Sequence, residues 1–93
     1  MRLKEREVQI IKSTIQALDA EARIYLFGSR ADDAKRGGDI DLLIISTKLT
    51  EQDKRTIRLG LYDQLGEQKI DLVLAENAAQ PFVRIALAEG VEL

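Results

Sequence analysis

The chain has 93 residues, with no cysteine and no histidine among them. Without cysteine there can be no disulfide, no thiolate zinc site and no thiol nucleophile. Without histidine there can be no Ser-His-Asp triad and no imidazole base. Any metal must then be held by oxygen, which favours magnesium, manganese or calcium. A general base must be a carboxylate, a lysine, a tyrosine or a water. Aromatics are scarce as well: Tyr25, Phe27, Tyr62 and Phe82 are all there are, too few for a base-stacking platform. Basic residues show no excess, with 14 Lys and Arg against 16 Asp and Glu. Duplex nucleic acid is therefore not an expected partner. No apolar run reaches the ~20 residues of a membrane helix. The first twelve residues are charged throughout, unlike a signal peptide. The expectation is a cytoplasmic protein with no membrane partner.

What remains is an ordinary globular composition, 45% hydrophobic and 32% charged, expected to form one domain over residues 1–93. Leu3, Val8, Ile11, Ile15 and Leu18 recur at helical spacing and predict a helix over about 3–19. Residues 23–27 are branched and aromatic and read as a strand. Residues 30–38 are polar and close on Gly37-Gly38, a turn signal. Residues 40–45 are apolar apart from Asp41 and read as a buried strand. Thr50 followed by Asp53 approximates a capping box for a helix ended by Gly66. Gly60, inside that helix, marks a close packing contact. A third strand covers 69–75, and Pro81 opens a last helix that stops at Gly90. The expected fold is α/β (α+β), in the order α-β-(turn)-β-α-β-α, with a small mixed sheet of about three strands covered by helices.

The chemistry concentrates in two stretches. Asp39 and Asp41 are two residues apart, so a strand projects them from the same face. Two carboxylates side by side in a strand of Ile and Leu repel each other, and burial raises that cost. A cation relieves it, and magnesium suits a site of one or two carboxylates plus phosphate oxygens. Asp71 repeats the pattern within Ile70, Leu72, Val73 and Leu74. If its strand neighbours the first, three carboxylates meet, enough for a two-metal site of the kind used in phosphoryl displacement. Gly28 and Ser29 end the first strand abruptly, where backbone N–H groups and a hydroxyl can cradle an anion. No lysine follows in Walker register. With Gly and Ser at ~7% and Asp at ~5%, this spacing arises by chance in roughly one chain of this length in a thousand.

Simpler readings stand beside these. Asp39 and Asp41 would be solvated at an exposed strand start, Asp71 an edge residue paired with an arginine, and Ser29 a turn residue. Arg30 is a candidate phosphate contact, with a solvated loop charge as its simpler reading. Asp32 and Asp33 are rival candidate ligands that read more simply as solvated loop acids. Lys35, Arg36, Lys54, Arg55 and Arg58 are candidates for an anion-binding or partner-facing patch, with a solvated helix face as the simpler reading. Tyr25, Tyr62 and Phe82 are expected in the core.

The words LFGSRA and GGDIDLLI resemble the signature of DNA polymerase β-like nucleotidyltransferases, a Gly-Ser pair, a spacer of about ten residues and Asp-x-Asp. The spacer here is nine residues. The chain is most similar in pattern to the small bacterial and archaeal members called minimal nucleotidyltransferases, or MntA-like proteins, down to its closing ALAEGVEL. The resemblance implies that Gly28 and Ser29 bind triphosphate, with Arg30 beside them. It implies that Asp39 and Asp41 are metal ligands and Asp71 the third catalytic carboxylate. The cofactor implied is magnesium, in a two-metal site, with ATP or another nucleoside triphosphate as co-substrate.

The resemblance implies a biology as well. Such small members often accompany a helical HEPN protein as a toxin–antitoxin pair and transfer AMP from ATP to the toxin. The expected partners are thus a nucleoside triphosphate and a HEPN-type helical protein, with homo- or hetero-oligomers allowed. Two alternatives remain open. One is a non-catalytic antitoxin that works by occlusion. The other is a small-molecule nucleotidyltransferase of the aminoglycoside type, completed by a helical partner.

Overall fold

The computed structural model describes residues 3–28, 39–66 and 68–93. In chain order they form α1 (Glu5–Gln16), β1 (Arg23–Phe27), β2 (Ile40–Ile45), α2 (Glu51–Leu65), β3 (Ile70–Ala75), α3 (Pro81–Glu89) and β4 (Val91–Glu92). The strands make one sheet in the order β3-β2-β1-β4. β1 runs antiparallel to β2 and β4, whereas β2 and β3 are parallel and joined through α2. This mixed α/β arrangement is the expected class; the described residues form four strands where about three are expected. The fourth is only two residues long, too short to show alternation. The Leu93 N–H bonds the Ile24 carbonyl at 2.9 Å and extends its ladder.

Alternation splits the strands between two faces. On one, Ile24, Leu26, Ile40, Leu42, Ile44, Ile70 and Leu72 pack with Ile11 and Ile15 of α1 and Ile57 and Leu61 of α2. On the other, Tyr25 and Leu43 pack with Val83 and Ala86 of α3. Leu42, Leu43 and Ile44 have no exposed surface at all, which explains why β2 reads as a continuous apolar run: it is covered on both sides.

The helix boundaries follow from local chemistry. Thr50 and Asp53 cap α2 reciprocally. The Asp53 N–H donates to Thr50 Oγ1 at 3.3 Å and the Thr50 N–H to Asp53 Oδ2 at 2.9 Å. Gly66 ends the helix at φ +86, where any other residue would be strained. A Cβ on Gly60 would lie 3.4 Å from Thr14 Cγ2, the close α1–α2 approach expected there. α1 is shorter than its periodicity predicts and leaves Leu18 44% exposed. Asp19 is the reason, because it draws the backbone out of the helix. Its carboxylate accepts the Glu21 N–H at 3.0 Å and the Ser46 hydroxyl at 2.6 Å, and Ser46 Oγ in turn accepts the Lys48 and Leu49 N–H groups.

This knot ties the start of β1 to the end of β2. The Ser46 and Glu21 donors hold the Asp19 carboxyl below its ordinary value of 3.8, so its stabilisation is present above that value and lost as pH falls through the folded-state pKa. Asp19→Asn should therefore destabilise the protein near pH 7, and the gap from the parent should close as pH drops below 3.8. Denaturant melts at neutral and acid pH check this, and a gap that is constant with pH would refute it.

Candidate active site

β1, β2 and β3 bring Gly28, Asp39, Asp41 and Asp71 to one end of the sheet. Phe27 is register partner to Asp41, and Asp41 to Asp71. Register partners project to the same side. The three side chains therefore form a row across three strands, on the face that carries α3 rather than the face packed by α1 and α2. Asp39 sits one residue before β2. The Ile40 N–H bonds the Lys69 carbonyl at 2.9 Å, which continues the parallel ladder and sets Asp39 beside Lys69. There Lys69 Nζ approaches Asp39 Oδ2 at 3.6 Å.

Asp41 is perturbed by its surroundings. Its pKa is raised above 3.8 first by burial, then by the charge of Asp71, by a hydrogen bond shared with Asp71 and by Asp39, while Lys69 opposes the rise. Each cause is what crowded carboxylates with too little neutralising charge produce. Asp41 is half-buried and Asp71 exposed on the edge strand, so the row runs from a screened acid to an open one.

Gly28 completes the described part of the site. It has φ +74, and a Cβ built on it would lie 2.5 Å from Asp41 Oδ2. The chain therefore passes against the carboxylate at a point where any side chain would have to displace it. Ser29 and Arg30, the other expected nucleotide-binding residues, lie outside the described residues, as do Asp32, Asp33, Lys35 and Arg36.

Among the described residues, no group of three or more His, Cys, Asp or Glu side chains stands ready to hold a metal ion. The acids are arranged as a pair, Asp41 with Asp71, plus Asp39 held by Lys69. The donor set nonetheless suits a hard divalent cation. It is all oxygen, and its two central carboxylates are forced together by strand register. Asp39, Asp41 and Asp71 are the residues that would hold such an ion.

Residues 9–93 match the family described as Polymerase beta, Nucleotidyltransferase. The chain belongs to this family. No curated protein matches it. The family assignment makes the chain a nucleotidyltransferase domain and agrees with the mixed sheet and the three helices formed by the described residues. Among the described residues, no helix of this nucleotidyltransferase is long and apolar enough to cross a membrane.

The surroundings of the acids hold features that sequence reading missed. Phe82 and Tyr62, expected in the core, are 51% and 37% exposed, whereas Tyr25 is buried as expected. Phe82 stands edge-on to Phe27, with ring centroids 6.0 Å apart. An aromatic pair therefore borders the acid row. α3 is too short to cover both its own apolar residues and the sheet, which also leaves Ile85 61% exposed. Lys69 was missed too, although a signal existed: it lies two residues before Asp71, on the same side of an extended chain. A cavity of about 620 Å³ lined by Leu59, Tyr62, Asp63, Gln68 and Lys69 lies along α2, not over the acids. The paired carboxylates, rather than this concavity, are the candidate site.

Proposed function

We propose that this nucleotidyltransferase moves a nucleoside monophosphate, with AMP from ATP as the leading case, onto a hydroxyl of a partner protein. The observation that carries the reading is the Asp41–Asp71 pair, set in register on adjacent strands with Gly28 pressed against Asp41. A divalent ion bound there would neutralise the acids and the charge that builds on the transferred phosphoryl group. Gly28 opens the approach of the triphosphate to the acids. Asp41, the more buried acid, is a fixed anchor. Asp71, exposed on the edge strand, is open to an incoming acceptor and takes or orients its hydroxyl proton. The acceptor oxygen bonds to the α-phosphorus, and the bond from that phosphorus to the pyrophosphate oxygen breaks.

A macromolecular acceptor is favoured by Phe82 and Ile85. Both are large apolar side chains left in solvent on the helix that flanks the acids, the sort of surface a protein partner covers. A helical HEPN-type partner is the acceptor this reading names, and the pair would then act as toxin and antitoxin. The test is incubation with magnesium, a HEPN-type helical protein, and ATP labelled at either the α- or the γ-phosphate. α-Label should stay on the partner and γ-label should leave with pyrophosphate. Retention of γ-label would indicate a different transfer, and no label from either position would remove the proposal. The same apolar surface supports the second reading, inhibition by occlusion. A double variant, Asp39→Asn with Asp41→Asn, that still neutralises its partner fully would favour occlusion.

A further inference from the structure

Lys69 has no part in the family signature, yet it occupies the fourth corner of the acid site. The parallel ladder sets Asp41 beside Asp71 and, one step earlier, Asp39 beside Lys69. Four charged side chains thus stand as two cross-strand pairs, three negative and one positive. The backbone at Lys69 is fixed by its bond from the Ile40 N–H at 2.9 Å. Its ammonium rests 3.6 Å from Asp39 Oδ2, with the two side chains 68% and 46% exposed. It also counters the charge pressing on Asp41.

A lysine and a divalent cation cannot both hold one carboxylate corner without repulsion. The ammonium sits on a flexible stem with three donors that rotate freely. A triphosphate brings more negative charge than one divalent ion cancels, which gives the displaced ammonium a new partner nearby. Resting on the nucleotidyl-transfer reading above, we infer that Lys69 is a positioning residue that exchanges partners. It holds Asp39 while no cation is bound, yields that carboxylate to the arriving ion, and then pairs with a phosphate oxygen of the nucleotide.

The exchange makes two opposite predictions for Lys69→Gln. Binding of manganese alone should tighten, because a competing charge has gone. An exposed ion pair of this kind corresponds to about two- to fivefold in affinity. Binding of an ATP analogue with a methylene bridge between the α- and β-phosphates, with manganese present, should weaken by roughly tenfold, as the loss of a charge-assisted contact does. Lys69→Arg should stay near the parent in both. A purely structural lysine would move both affinities the same way or neither.

Manganese is followed by the loss of its free paramagnetic signal, and the analogue by calorimetry, with Asp41→Asn measured alongside. Manganese affinity that is unchanged or weaker in Lys69→Gln, or analogue affinity that is unchanged, would overturn the exchange. If the parent binds manganese and Asp41→Asn does not, that failure belongs to Lys69 alone. No saturable manganese binding by the parent would overturn the metal-site reading, and the exchange with it.

Discussion

Replacing Asp41 by asparagine should abolish nucleotidyl transfer and, without divalent ions, make the protein more stable at neutral pH. The loss of activity follows from the position of Asp41 at the centre of the acid row, between Gly28 and Asp71. Stabilisation of transferring phosphoryl charge at such a site is worth several kcal/mol, and each ~1.4 kcal/mol is tenfold in rate. A fall of about a thousandfold or more is expected. The gain in stability follows from the raised pKa of Asp41. Burial and the neighbouring Asp71 disfavour its ionised form in the folded state. Ionisation therefore costs stability as pH rises above 3.8 and towards the folded-state value. Asparagine keeps the shape and removes that cost. Melts across the pH range should show the variant gaining on the parent above pH 3.8 and matching it below. Magnesium should raise the melting temperature of the parent more than that of the variant. A variant less stable than the parent at neutral pH would show that the carboxylate has favourable partners within the fold.

Gly28→Ala should separate strain from chemistry. The substitution places a methyl in a left-handed conformation at φ +74, which costs roughly 1–2 kcal/mol. It also sets that methyl 2.5 Å from Asp41 Oδ2. The carboxylate is the end of a short side chain and can swing aside, so the fold survives while the acid row loses its centre. Misplacement of a catalytic group by about 1 Å can cost on the order of a hundredfold, so activity should fall at least that far. Gly66 supplies the control. It also has positive φ, at +86, but a Cβ there would meet nothing within 4 Å. Gly66→Ala should lose a similar amount of stability and keep its activity. If both variants retained transfer, the contact between Gly28 and Asp41 would have no role in the reaction.

Much of this site can be read from the chain because its parts are short-range. β1 and β2 have the boundaries their composition predicts, at Arg23–Phe27 and Ile40–Ile45. An acid inside a run such as Ile-Asp-Leu-Leu is conspicuous because burial is costly for it. The meeting of Asp41 and Asp71 could only be posed conditionally, since strand order is set by the α2 crossover and not by residues near either acid. The end of α1 was misplaced for a similar reason. The partner that draws Asp19 out of the helix is Ser46, 27 residues away, and helical periodicity carries no trace of it. β4 is held by pairing with β1 and has no pattern of its own. Phe82 has the composition of a core residue. Its exposure depends on how much of the sheet a nine-residue α3 can cover, which is a property of the assembled layers.

The parallel pairing of β2 with β3 has one more consequence. Ile70 and Leu72 face α1 and α2, while Asp71 between them faces away. Sliding β3 by a single residue would drive the carboxylate into the apolar interior and turn the two aliphatic side chains out to water. Misalignment is thus penalised by solvation long before any substrate is present. Chains that reach the compact state therefore arrive with position 71 on the same face of the sheet as position 41, held there by exclusion of water from the hydrocarbon side.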